Sequence, residues 1–181
     1  MAIYVTSDAH GHVRALDEAL SKISLASDDT LYVLGDMIDR GPDPVGVIKL
    51  VRSLPNARVL KGNHEQIMLD AIIGQDPLDA ETWDINGGWT TRQQLNDMEF
   101  EAYEELVRWM ATLPLYAVVE TDERPYLLVH AGIQTEAARA FLLEHGVDCA
   151  DGTGAVDVDR ELLKQMLAVQ SSDDLLWIRH G

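Results

Sequence analysis

Four short polar motifs in this chain of 181 residues carry the side-chain types that bind divalent cations and phosphate. They occupy residues 7–11 (Ser-Asp-Ala-His-Gly), 35–41 (Gly-Asp-Met-Ile-Asp-Arg-Gly), 62–65 (Gly-Asn-His-Glu) and 130–132 (His-Ala-Gly). Carboxylates, imidazoles and an amide without a thiolate favour Mn²⁺, Fe or Zn²⁺ over cations that prefer oxygen ligands alone. The motifs therefore predict a metal site that acts on phosphate.

The spacing within the motifs lets side chains share ions. Asp8 and His10 are two residues apart, so on an extended segment their side chains point to the same side. Asp36 follows the next predicted strand, and its two carboxylate oxygens can bridge two ions about 3.5–4 Å apart. Asn63 adds an amide oxygen and His130 an imidazole nitrogen. We therefore expect two divalent cations.

Three further residues suit the hydrolysis of a phosphate ester by a water that the two cations activate. His64 is placed to protonate the leaving alkoxide as a general acid. Asp39 can hold its imidazolium, and Arg40 can bind phosphate oxygens through the planar guanidinium.

The elements that must position these residues are predicted strands alternating with helices. The strands cover residues 2–6, 30–34 and 57–60, and the helices cover residues 13–23, 45–54 and 64–73. Asp8, Asp36 and Asn63 are separated by 28 and 27 residues, which fits successive parallel βαβ units of about 30 residues. Parallel strands place the motifs at one sheet edge, where α/β folds bind ligands.

The rest of the chain predicts one domain over residues 1–181, with a helical insertion over about 74–112 in which Trp83 and Trp89 pack. An antiparallel strand pair is predicted over 115–120 and 126–129, turning at 122–123, and further helices over 136–144 and 159–169.

A net charge of −17 disfavours a general nucleic-acid binder. No apolar run predicts a membrane span or a signal peptide, and a lone Cys149 fits the reducing cytoplasm.

The four motifs, in this order, closely resemble the phosphoprotein phosphatase family of metallophosphoesterases in its compact bacterial and phage form. The resemblance covers nearly the whole chain and implies an α/β fold, a β-sandwich flanked by helices (α-β-β-α) with metals at the strand ends. For the two cations we expect Mn²⁺, with Fe or Zn²⁺ as alternatives. Residue by residue, it implies Asp8 and His10 on the first metal, Asp36 bridging, Asn63 and His130 on the second, His64 as the acid oriented by Asp39, and Arg40, Asn63 and Arg179 on the phosphate.

The family pattern continues past Trp177-Ile178-Arg179 with a Gly-His-Thr motif and closing strands, which residues 1–181 do not contain. The His of that motif completes the second metal site in the family. We therefore expect the second site to be weak, with water or His180 in that position, and one sheet to lack strands.

The resemblance favours a serine/threonine protein phosphatase acting on a phosphorylated protein or a small phosphate ester. Asp39 and Glu65 are the residues that favour this branch over the relatives that cleave diadenosine tetraphosphate. Two alternatives stay open: a non-catalytic phosphoprotein-binding or scaffold domain with an incomplete metal site, and a dinucleoside tetraphosphate hydrolase.

Overall fold

The structure, a computed structural model, describes residues 1–74, 76–122, 124–147 and 158–178, and the chain forms two compact units, Met1–Pro114 and Leu115–Gly181. Helices and two sheets make it a mixed α/β chain, as predicted. The elements are β1 (Ile3–Thr6), α1 (Val13–Ile23), β2 (Thr30–Val33), α2 (Pro44–Ser53), β3 (Ala57–Val59), α3 (Asn63–Ile73), α4 (Leu78–Ile85), α5 (Trp89–Asn96), α6 (Phe100–Ala111), β4 (Tyr116–Glu120), β5 (Pro125–Val129), α7 (Thr135–Glu144), α8 (Arg160–Ala168) and α9 (Ser172–Trp177).

The first unit contains a three-stranded parallel sheet in the order β1-β2-β3. Leu31 and Val33 of the central strand are buried, as expected for a parallel strand with both neighbours in place. The predicted parallel βαβ units are confirmed. Because the strands run in one direction, the first three motifs all begin at the same edge of this sheet.

Local capping explains where the second helix begins. The Asp43 side chain accepts the backbone N–H of Gly46, and Pro44 occupies the first helical position, where its missing N–H costs nothing. Val47, Ile48 and Val51 then point into the core at helical spacing.

The insertion between the third motif and β4 is helical, as predicted, and consists of α4, α5 and α6. Its side chains Trp83, Leu95 and Met110 join the core of the first unit. Trp89 does not, because 61% of its surface is exposed. The prediction that both tryptophans pack the insertion is therefore right for Trp83 and wrong for Trp89.

The second unit pairs β4 with β5 in antiparallel register, from Tyr116 opposite Val129 to Glu120 opposite Pro125. The predicted pair is confirmed, although Glu123 of its turn lies outside the described residues. Apolar side chains of β4, α7, α8 and α9 form its core. The sequence analysis does not predict α9, which starts after a Ser171 cap on the Asp174 N–H. No helix in the described ranges has the length and apolarity needed to cross a bilayer.

Asp29 joins the start of the chain to the turn before β2, and its loss is expected to destabilise the fold in a pH-dependent way. Its carboxylate accepts the N–H groups of Ala2 (2.6 Å) and Ala26 (3.0 Å), and these bonds, the one from Ala2 first, lower the pKa of Asp29. A lowered folded-state pKa contributes stability above the unfolded value of about 3.9, and this contribution is lost as the pH falls through the folded value.

We therefore expect Asp29→Asn to lower the melting temperature by a few degrees at neutral pH and by progressively less below pH of about 4. Asp28→Asn is the matched control, since its carboxylate is exposed and lies 3.3 Å from the terminal amine. Thermal unfolding followed by circular dichroism across pH checks both variants. A constant difference between Asp29→Asn and the wild type at every pH would contradict the assignment.

Candidate active site

The backbone is strained at the residues with the predicted chemical roles. Six non-glycine residues in the described ranges have positive φ, and five of them belong to the first two motifs. These five are Asp8 (55°), His10 (40°), Asp36 (53°), Asp39 (68°) and Arg40 (65°). Such conformations cost about 1–3 kcal/mol each and persist only where the surroundings hold them, which is common at functional sites.

Close backbone contacts hold the first and second motifs together. His10 N–H donates to Asp36 C=O (2.9 Å), and Gly11 N–H donates to Met37 C=O (2.8 Å). Gly41 approaches the first motif so closely that a Cβ there would lie 2.0 Å from the carbonyl oxygen of His10. Only glycine fits at that contact, so the two strained turns dock as one surface.

Glu65 braces the second and third motifs from inside. Its side chain is fully buried, and it accepts the N–H groups of Asp36, Met37 and Gly62, each at 2.8 Å. Burial raises the pKa of Glu65 and the Asp36 carboxylate raises it further, while the three N–H donors oppose the shift. Glu65 therefore supports the turns that carry Asp36 and does not face substrate.

Glu65→Gln is expected to destabilise the protein by about 3 kcal/mol. The amide keeps one acceptor oxygen and brings an NH₂ group against backbone donors, leaving buried N–H groups unpaired. Urea unfolding measures the loss, with the exposed Glu104→Gln as the control, expected within about 0.5 kcal/mol of the wild type. Equal midpoints for the two variants would contradict the bracing role.

His10 and His64 meet at the sheet edge with defined tautomers. His10 Nδ1 donates to the C=O of Ile38 (2.9 Å), and His64 Nδ1 donates to Asp39 Oδ2 (2.7 Å). The Arg40 guanidinium donates to both Nε2 atoms, at 3.0 Å for His10 and 2.8 Å for His64. Because a guanidinium cannot accept a hydrogen bond, both Nε2 atoms present a lone pair.

The two lone pairs converge beside Asp36. His10 Nε2 lies 3.5 Å from Asp36 Oδ2, and the ligand atoms of His10, Asp36 and His64 all lie within 4.8 Å of one another. A histidine whose Nδ1–H is held by a carbonyl or carboxylate has the orientation of a metal ligand. Two imidazole nitrogens and a carboxylate therefore fit a divalent transition-metal ion.

The other predicted ligands differ in their position and exposure in the structure. Asp8 Oδ1 lies 3.9 Å from His10 Nε2, on a side chain that is 57% exposed. Asn63 is buried at the first position of α3. His130 follows β5 in the second unit and is half-buried, so its role as a ligand stays a prediction. Arg179 and His180 lie outside the described residues.

Two residues that the sequence analysis does not assign to the site contact Asp39, which is fully buried. Trp83 Nε1–H donates to both carboxylate oxygens (3.0 and 3.2 Å), and the Thr91 hydroxyl donates to Oδ1 at 2.6 Å. Both come from the helical insertion, 44 and 52 residues along the chain. Their only sequence signal is their position beside the Asn86-Gly87-Gly88 turn.

Comparison with known proteins identifies relatives of this chain. The profile of a family described as calcineurin-like phosphoesterase matches residues 1–179. A symmetrical bis(5'-nucleosyl)-tetraphosphatase from Erwinia tasmaniensis is 32% identical over 74% of this chain and 45% of its own length. The enzyme of that name from Salmonella paratyphi C is 30% identical over 86% of this chain and 50% of its own. The chain thus spans about half the length of the curated relatives it matches.

Among solved structures, a serine/threonine phosphatase from Saccharomyces cerevisiae matches with a TM-score of 0.52 at 21% identity, over 75% of this chain and 39% of that one. At this identity the likeness concerns the fold alone. The predicted fold class, α/β of the metallophosphoesterase type, is confirmed.

The prediction of a serine/threonine protein phosphatase is wrong, because the relatives at 30–32% identity are named tetraphosphatases. A phosphorylated protein as partner has no support for the same reason. The prediction depended on Asp39 and Glu65. In the structure Asp39 holds His64 and Glu65 accepts backbone N–H groups, so neither side chain selects between an ester and an anhydride.

Proposed function

Because the chain belongs to the calcineurin-like phosphoesterase family, we propose that it is a divalent-metal-dependent hydrolase that cleaves dinucleoside tetraphosphates symmetrically, into two nucleoside diphosphates. The names of the 30–32% identical relatives support this substrate. The placement of His10 Nε2 at 3.5 Å from Asp36 Oδ2, beside the imidazole of His64, is the observation that supports a metal-dependent reaction most directly. We place the protein in the cytoplasm, the compartment that a lone cysteine fits.

The metal-holding residues in this proposal are Asp8, His10, Asp36 and Asn63. Mixed nitrogen and oxygen donors without thiolate suit Mn²⁺, Fe or Zn²⁺, and of these we propose Mn²⁺. When bound, the cations supply positive charge that activates a water and draws electron density from the phosphate oxygens.

Arg40 binds the polyphosphate chain in this proposal. In the structure its guanidinium uses two donors on the Nε2 atoms of His10 and His64. Each Nε2 has a single lone pair, which in this proposal would go to a cation at His10 and to the acid proton at His64. The guanidinium donors would then be available to other acceptors. Phosphate oxygens match the planar fork of arginine in geometry and charge.

His64 protonates the oxygen that leaves with the departing nucleoside diphosphate. Asp39 holds Nδ1–H, and in the structure Nε2 accepts from Arg40. The acid role therefore requires the imidazolium form, in which Nε2–H replaces that contact and faces the leaving oxygen. A phosphoanhydride oxygen is a better leaving group than an alkoxide, because its negative charge is already delocalised over phosphate. The same dyad therefore serves an anhydride with less demand on the acid than an ester would make.

The test is a product analysis with diadenosine tetraphosphate. The purified chain is incubated with Mn²⁺ or with EDTA, and nucleotides are separated by anion-exchange chromatography. The proposal expects ADP as the sole product with Mn²⁺ and none with EDTA. AMP together with ATP would contradict symmetrical cleavage, and an intact dinucleotide in the presence of Mn²⁺ would contradict the proposed substrate.

A further inference from the structure

We propose that Thr91 and Trp83 are positioning residues that fix Asp39 and, through Asp39, the catalytic imidazole of His64. This inference rests on the acid role given to His64 in the proposed function. It assigns the helical insertion a part in the reaction, since α4 and α5 supply both side chains. Neither residue approaches the reacting atoms itself, because both contact Asp39 on its buried carboxylate.

Hydrogen-bond donors surround the carboxylate of Asp39. The carboxylate receives hydrogen bonds from three side chains: His64 on Oδ2, Thr91 on Oδ1, and Trp83 on both oxygens. The side chain has no exposed surface. A buried carboxylate is tolerated where donors satisfy its lone pairs, so removing one donor leaves part of that charge unpaired.

The helical insertion also contacts the backbone of Asp39 and Arg40. Both have φ near +65°, a left-handed conformation that L-residues rarely adopt without support from their surroundings. The insertion satisfies both N–H groups there: Asp39 N–H donates to Thr91 Oγ1 (2.9 Å), and Arg40 N–H donates to the C=O of Gly87 (3.0 Å). The insertion thus holds the strained pair in place.

The Thr91 hydroxyl makes two hydrogen bonds to Asp39. Its single proton is donated to Asp39 Oδ1, and its oxygen accepts the backbone N–H of Asp39. One hydroxyl therefore fixes both the main chain and the carboxylate plane of Asp39. With Oδ1 held by Thr91 and Trp83, Oδ2 remains aligned with His64 Nδ1–H, which keeps Nε2 directed outwards.

Thr90 offers a matched control one position away. It is also buried, but its hydroxyl has no hydrogen-bond partner within the described part of the chain. Thr90→Val and Thr91→Val remove the same atom from adjacent buried positions of α5. A difference between these variants therefore reports the contact with Asp39 and not the loss of a buried threonine in general.

The test is a double-mutant cycle with His64→Asn, assayed on diadenosine tetraphosphate with Mn²⁺. We expect Thr91→Val to lower kcat about 10- to 100-fold with KM little changed, because the acid is misaligned while binding is not. Trp83→Phe is expected to lower kcat by about tenfold. Thr91→Ser should restore most of the activity, and Thr90→Val should resemble the wild type.

In the His64→Asn background, Thr91→Val should cause no further loss, since its effect passes through the imidazole. An equal fold-loss in both backgrounds would assign Thr91 a general structural role and overturn the inference. So would a Thr91→Ser variant as impaired as Thr91→Val.

A second measurement is independent of turnover. The buried His64 Nδ1–H should give a low-field proton resonance in the NMR spectrum, assigned by its absence from His64→Asn. Thr91→Val should shift or broaden it, while Thr90→Val and Thr91→Ser should not, and an unchanged signal in Thr91→Val would overturn the inference. If the wild-type chain hydrolyses no dinucleotide, the proposed function fails while this resonance still tests the positioning role.

Discussion

Replacing Asp36 by Asn is expected to lower Mn²⁺ affinity by about 100-fold or more and to lower hydrolysis with it. Changing a residue that merely orients a ligand costs about 10–100-fold in affinity, and Asp36 is placed as a ligand itself. Its two oxygens face different groups: Oδ1 accepts His64 N–H, and Oδ2 faces His10 Nε2. The amide can keep the first contact but brings an uncharged group to the second, so the fold is retained while the charge is lost.

Isothermal titration with Mn²⁺ measures the affinity, and the Mn²⁺ dependence of ADP release measures the activity. Asp17→Asn on the exposed face of α1 is the control for removing one negative charge from a chain of net charge −17. It should bind Mn²⁺ like the wild type. Retention of wild-type affinity in Asp36→Asn would refute the ligand assignment.

Replacing His64 by Asn is the second large expected effect, a loss of about 10²- to 10⁴-fold in kcat, the range that a general acid contributes. The geometry permits two roles for this residue, because its Nε2 belongs to the same cluster as His10 and Asp36. The proposal assigns it the acid role, for which the hydrogen bond from Nδ1 to Asp39 supplies the orientation.

The two roles of His64 differ in what they do to metal binding. If His64 is the acid, His64→Asn should bind Mn²⁺ nearly as tightly as the wild type while turnover collapses. If it is a ligand, affinity and turnover should fall together. Asp39→Asn should follow His64→Asn in direction, because the amide can present its NH₂ group to the imidazole and favour the wrong tautomer.

Local sequence signals located the elements well. The α1 range predicted from apolar spacing agrees with the structure at both ends, and the predicted β2 and α3 differ from the observed ones by a single residue. These elements depend on periodicity and on cap residues that lie within one turn of the helix. Helix α9 escaped prediction because it is only six residues long, too short for a period to show.

Other predictions were wrong or missing because they depend on contacts that form only in the folded chain. Trp89 and Trp83 are the same residue type six positions apart, yet Trp89 is exposed and Trp83 is buried against Asp39. The residue type alone does not predict which face of a helix packs against the core. The prediction of the substrate failed for a related reason, since the side chains of Asp39 and Glu65 are fully buried and support the site.

The sequence by itself determined which residues are proposed to carry the chemistry, and it placed three of the four motifs at one sheet edge. That was possible because strand–helix alternation is local and parallel strands bring their carboxyl ends together. Only the tertiary structure decided the tautomers of His10 and His64, the left-handed turns, and the anchoring of Asp39 by Thr91 from 52 residues away. Those features depend on hydrogen bonds between segments that become neighbours only when the core forms, and no local pattern encodes such a partner.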